Sequence, residues 1–126
     1  MLMLSWLYVA IGGAAGALAR YGVALAIRPI NDTPWPLATF TVNILGAFGI
    51  GVLAVLLERQ VLHPDLRALG MVGFFGAFTT LSTVSLELLQ MLERGQLVLG
   101  LLYGLASLLI CVVGAASGVM LTRMVL

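Results

Sequence analysis

Asn43 sits near the middle of residues 33–57, a run without a charged side chain. A primary amide in such a place needs a partner. Two uses satisfy it: a hydrogen bond to a neighbouring helix, or donation to a permeating anion. Its NH2 offers two donors with no formal charge, which suits an anion that must bind and then leave. A second concentration of polar groups follows at residues 79–85, Thr-Thr-Leu-Ser-Thr-Val-Ser, with Gly76 just before it. Such a stretch reads as a helix interrupted by non-helical backbone, which membrane depth tolerates only inside protein or beside water. A break frees carbonyls for a cation, while the N-terminus of the following half-helix favours an anion. The competing reading is an intact helix whose hydroxyls bond back to its own carbonyls. Tyr103, Ser107 and Cys111 recur every four residues and share one helical face. They form either a polar stripe beside an ion path or the ordinary polar residues of a membrane helix.

Two charges complete the candidates. Arg20 and Glu87 lie within otherwise apolar stretches, near the same end of their segments. Intramembrane charges are costly and are usually paired or functional. A mutual salt bridge is one reading, and an anion-attracting role for Arg20 is the other. No carboxylate falls mid-span, where a proton-coupled drug exporter needs one. His63 is the only histidine and lies in a loop, and Cys111 is the only cysteine. That composition leaves no Cys/His metal site and no internal disulfide. Nucleophile–base pairs are absent, so no enzyme is expected.

Membrane helices are what must position these groups. Of 126 residues, 62% are apolar and 9% charged, against roughly 25% charged in a soluble domain. Charge-free runs cover residues 1–19, 33–57, 68–86 and 95–122, each near the roughly 20 apolar residues that cross a bilayer. The expected fold is all-α: one integral membrane domain over residues 1–126, with four spans at about 6–27, 37–57, 67–92 and 97–122. The third span is expected to break mid-membrane. Helix breakers between Arg28 and Pro36 mark the first turn, and Trp6 and Trp35 stand where interfacial anchors belong. Connections this short make neighbouring helices antiparallel and put both termini on one side. No basic region precedes the first apolar run, so that span is expected to be retained and not cleaved as a signal peptide. A net charge of +1 gives no electrostatic footprint for nucleic acid.

Glycines recur at helical intervals: Gly12 and Gly16, Gly46 and Gly49, Gly100 and Gly104, Gly114 and Gly118. Small residues so spaced let helix backbones approach closely in lipid. Arginines divide almost evenly between the two sides. Arg59, Arg67 and Arg123 fall with the termini, and Arg20, Arg28 and Arg94 fall opposite. Either orientation is set by something outside the Lys/Arg count, or the chain inserts both ways and pairs antiparallel.

These residues resemble the Fluc (CrcB) family of fluoride channels. Gly12, Gly16 and Arg20 in Gly-Gly-Ala-Ala-Gly-Ala-Leu-Ala-Arg-Tyr are similar to its first-span signature. The segment Thr39-Phe-Thr-Val-Asn-Ile-Leu-Gly46 resembles its second-span motif, with Asn43 as the pore asparagine. Gly73–Glu87 resembles its broken third helix, and the Tyr103/Ser107 spacing fits its fourth. The likeness covers essentially the whole chain in matching order. It implies a passive fluoride-selective channel that exports F⁻ across the bacterial inner membrane as an antiparallel, dual-topology homodimer with two pores. It also implies pore positions at Asn43, Thr80, Leu81, Thr83, Val84, Tyr103, Ser107 and Cys111, a vestibule charge at Arg20, and a structural Na⁺ on the backbone carbonyls of Gly76 and Thr79. The chain departs from the family at Leu81 and Val84, where two phenylalanines usually turn their positive ring edges to fluoride, and at Cys111, where serine is expected. Those departures favour one alternative, a non-conducting or weakly conducting partner subunit of a heterodimer. A small four-span multidrug transporter is the other, and it lacks its central carboxylate here.

Overall fold

A computed structural model describes residues 2–126. Helix α1 covers Leu2–Ile27 and α2 covers Leu37–Glu58. A π-helical segment, Arg67–Phe75, leads into the single turn α3, Gly76–Phe78, and then into α4, Leu81–Glu93. Helix α5, Leu97–Val125, completes the chain. Taking the π-helical segment, α3 and α4 together, four passages are long and apolar enough to cross a membrane.

The connections hold themselves with local hydrogen bonds. After the 3-10 turn Arg28–Ile30, the Asn31 carboxamide accepts from the Thr33 N–H (3.1 Å) and hydroxyl (2.8 Å) and donates to the Trp35 carbonyl (2.8 Å). Helices α2 and α4 end in the same way. The N–H of Val61 reaches the carbonyl of Leu56 (2.9 Å) and that of Gln60 reaches Leu57 (3.1 Å). Correspondingly, Gln96 bonds Met91 (2.9 Å) and Gly95 bonds Leu92 (3.0 Å). This closure needs a left-handed residue just past the helix. Gly95 supplies it at φ 74°, and Gln60 does so at φ 56° despite its Cβ.

Lipid gives helices no hydrophobic reason to associate, so contact depends on close approach and on polar links. A Cβ on Gly12 would enter the Leu69 carbonyl, and one on Gly16 the Phe74 carbonyl. These glycines let α1 lie against the π-helical segment. Gly51 and Gly118 do the same between α2 and α5, against the carbonyls of Ala115 and Phe48. Glu58 and Arg123 meet at 3.0 Å, which puts the ends of α2 and α5 on one side. Both are exposed, and such pairs contribute little.

Apolar side chains of α1 and α5 point outward along most of their length. The small core lies near the start of α5, where Val84, Met91 and Tyr103 pack with Trp35, Phe40 and Leu99 around them. The Trp35 ring meets Phe40 and Tyr103 edge-on, each at 5.3 Å between centroids. Trp35 therefore caps this core and does not stand free as an anchor, unlike Trp6, which is exposed.

Candidate functional site

Between α3 and α4 the backbone leaves the helix. Thr79 (φ −88°, ψ 158°) and Thr80 (φ −154°, ψ 122°) are both extended. The hydroxyls around them have different tasks. Thr79 donates back to the Phe75 carbonyl at 2.8 Å, beside its own N–H at 3.1 Å, and so closes α3. Thr80 caps α4: its Oγ1 accepts from the Thr83 N–H at 3.2 Å and donates to the Thr83 hydroxyl at 3.1 Å. A capping hydroxyl of this kind satisfies one of the helix's orphan donors. Ser85 bonds back to the Leu81 carbonyl at 2.9 Å.

Asn43 reaches into this gap from α2. Its Oδ1 accepts the Thr80 N–H at 2.7 Å, and its Nδ2 donates to the Thr80 carbonyl at 3.0 Å. The amide thus supplies the acceptor for the Thr80 N–H and a side-chain donor to the Thr80 carbonyl, which as the N-cap of α4 also opens that helix's ladder. That pairing also decides which terminal atom is oxygen and which nitrogen. One of the two Nδ2 hydrogens is outside it. Gly46, one turn along α2, brings the helix onto the gap, since a Cβ there would strike Thr79 Cγ2.

A groove of about 320 Å³ follows this gap, lined by Asn43, Thr79, Thr80, Leu81, Val84, Ser107 and Cys111 among others. Ser107 is buried, and its Oγ has no hydrogen-bond partner. An unmade bond of that kind costs about 1–3 kcal/mol, and the Tyr103 hydroxyl one turn back on α5 is the polar group beside it. Cys111 lies half-buried one turn further along α5. The two positions where the family usually carries phenylalanine are unlike each other. Leu81 is 79% exposed on the rim, whereas Val84 is 7% exposed and packed into the Tyr103 core.

Thr83, Arg20 and Tyr103 are placed elsewhere. A second cavity of about 320 Å³ lies on the other side of Thr80, lined by Arg20, Arg28, Thr39, Thr80, Thr83 and Glu87 with parts of α1. Only Thr80 lines both spaces among the sequence candidates. No ion pair joins Arg20 to Glu87 among the described residues. Instead Glu87 accepts from Thr39 at 2.7 Å through one oxygen and from Tyr103 at 2.6 Å through the other. Two hydroxyls, from α2 and α5, each hold one carboxylate oxygen and so fix the orientation of Glu87 without a guanidinium. Tyr103 is fully buried by this bond and by Trp35. Thr39 and Arg28 are the residues that sequence reasoning missed. For Thr39 the signal is its place four residues before Asn43, on the same helical face.

Gly76 opens α3 and Thr79 follows its end, so their carbonyls lie about one turn apart at the gap. Among the described residues, no three His, Cys, Asp or Glu side chains gather as a metal site.

A family model described as CrcB-like protein, Camphor Resistance (CrcB), matches residues 7–119. The fluoride-specific ion channel FluC of Hahella chejuensis is 42% identical, with 94% of each chain covered. That of Saccharophagus degradans is 41% identical over 96% of this chain and 91% of its own. The Synechocystis protein of the same name is 40% identical, over 93% of this chain and 91% of its own. Matches of that extent take in most of all four passages: the chain belongs to the CrcB family.

Proposed function

We propose that the chain is a passive, fluoride-selective channel of the bacterial inner membrane, exporting F⁻ and so reducing fluoride toxicity. One observation carries this reading. The groove along the Thr79–Thr80 gap offers uncharged donors, Asn43 and the buried Ser107 hydroxyl, in a chain matched over nearly its whole length by proteins named fluoride-specific channels. Fluoride is small and strongly hydrated, so a pore must replace its water with donors and still release it. The driving force needs no ATP. HF enters as a neutral acid and ionises in the more alkaline cytoplasm. A negative-inside potential then favours F⁻ outside by about 2.3 kcal/mol per 100 mV, roughly fiftyfold in concentration.

The working unit in this reading is an antiparallel, dual-topology homodimer. The even arginine division supports it, as does the 79% exposure of Leu81 on the rim of the groove, a wall that a second copy would cover. The third passage is then broken mid-membrane at Thr79–Thr80, and Asn43 serves backbone groups that lipid cannot. A structural Na⁺ fits the carbonyls of Gly76 and Thr79. Carbonyl oxygens suit hard cations, and the extended Thr79 (ψ 158°) turns its carbonyl out of the helical ladder. One copy supplies too few such ligands, so the ion would be shared between two and would add positive charge at their interface.

The test uses the purified chain alone in liposomes, with fluoride and chloride efflux followed under a potassium-driven potential. Fluoride efflux well above that of chloride is expected. Fluoride retention by vesicles that contain assembled protein would overturn the reading, and flux from this chain alone excludes an obligatory second subunit.

A further inference from the structure

Arg28 lines the same cavity as Arg20, Thr39, Thr83 and Glu87. Ala17, Arg20, Tyr21, Ala24 and Arg28 fall at helical intervals along α1 and the turn that extends it. The two guanidinium groups therefore follow one face, with Arg28 roughly 12 Å further along by the helical rise. Arg28 is exposed and Arg20 is half-buried. Neither makes an ion pair among the described residues. The only carboxylate in the cavity wall, Glu87, has both oxygens engaged by Thr39 and Tyr103. At its inner end the cavity reaches Thr80, which also lines the Asn43 groove.

We propose that Arg28 is the outer member of a two-arginine mouth that collects small monovalent anions and delivers them past Arg20 to Thr80. The inference rests on the channel reading and deepens it, by naming what sets the rate of capture. An exposed charge raises the local anion concentration and the on-rate, and its reach depends on salt. The screening length is about 30 Å at 0.01 M and about 3 Å at 1 M. Over roughly 12 Å of water, one charge is worth about a twofold change in capture. A residue that merely holds the fold together keeps its effect at any salt.

Fluoride efflux from neutral-lipid vesicles is to be measured for the wild type and for Arg28→Lys, Arg28→Gln and Arg28→Glu, with an impermeant-anion salt at 10 mM and at 1 M. At 10 mM, Arg28→Lys is expected to match the wild type, Arg28→Gln to run about twofold slower and Arg28→Glu about fourfold slower. At 1 M all four are expected to converge. Slowing that is equal at both ionic strengths, as altered insertion or assembly would give, overturns the inference. So does an Arg28→Glu rate equal to the wild type at 10 mM. A wild-type chain passing no fluoride at either salt overturns the channel reading itself, and this inference with it.

Discussion

Replacing Asn43 by Ala removes both side-chain bonds to the Thr80 backbone, whereas replacing it by Asp removes only one. The wild-type amide makes two bonds there, at 2.7 and 3.0 Å. Side-chain hydrogen bonds between membrane helices average about 0.6 kcal/mol and reach about 1.7, so the two together hold the gap by about 1–3 kcal/mol. The Thr80 N–H has no other acceptor in this geometry, and its exchange with solvent deuterium reads that energy directly. In Asn43→Ala it is expected to exchange roughly five- to 150-fold faster, since 1.36 kcal/mol is tenfold. In Asn43→Asp it stays protected, because a carboxylate oxygen still accepts the bond and charged acceptors bind more strongly. That variant, however, sets its second oxygen against the Thr80 carbonyl and places a fixed negative charge in the groove. Like charges about 4 Å apart repel by about 4 kcal/mol at an intermediate dielectric, so fluoride flux is expected to fall at least a hundredfold. Exchange by mass spectrometry in nanodiscs, paired with liposome flux, measures both effects. Equal Thr80 exchange in wild type and Asn43→Ala would refute the tether, and normal flux in Asn43→Asp would refute the pore role.

Phenylalanine at the two departing positions is expected to act unequally. Val84→Phe overpacks a 7% exposed site beneath Trp35 and Tyr103 and should cost about 1–3 kcal/mol, while Leu81→Phe at a 79% exposed rim stays within about 0.5 kcal/mol. Equal shifts in detergent-unfolding midpoint would contradict that asymmetry. Gln60→Gly relieves a left-handed residue at φ 56° and should stabilise by about 0.5–1 kcal/mol, the difference between the steric penalty and glycine's extra chain entropy. The same unfolding assay checks it, and a lower midpoint would mean that the Gln60 side chain holds the turn.

The four passages are legible because charge-free length is nearly sufficient to specify a membrane helix, and the glycine intervals are legible because helical periodicity is local. Gly12, Gly16 and Gly118 do meet opposing backbone. Partner choice is a different matter. Arg20 and Glu87 share a cavity wall, as their positions along the chain allow, but Glu87 takes hydroxyls from Thr39 and Tyr103, residues 48 and 16 positions away. Nothing local announces that three helices converge on one carboxylate. Val84 shows the same limit. Its place three residues after Leu81 puts both on neighbouring parts of one helical face, yet Val84 packs with Met91 and Tyr103 while Leu81 is exposed. The π-helical winding of Arg67–Phe75 has no sequence sign either, since it arises where that segment lies against the glycine face of α1.

Asn43 bears on both uses that its sequence context leaves open. An extended residue presents its own N–H and C=O along one edge, on the two peptide groups that flank its Cα. Only a primary amide offers the complementary pair in one plane and still keeps a further N–H. Serine has a single hydrogen to give, aspartate has none when ionised, and a glutamine would have to fold its longer stem into the space where Gly46 already admits Thr79. Tethering Thr80 consumes the carbonyl oxygen and one hydrogen of the amide, which also locks its rotation. The remaining hydrogen is left over on an amide that lines the groove. Helix-to-gap bonding and the anion donation proposed above are consequently compatible at this position, because the first leaves one N–H over.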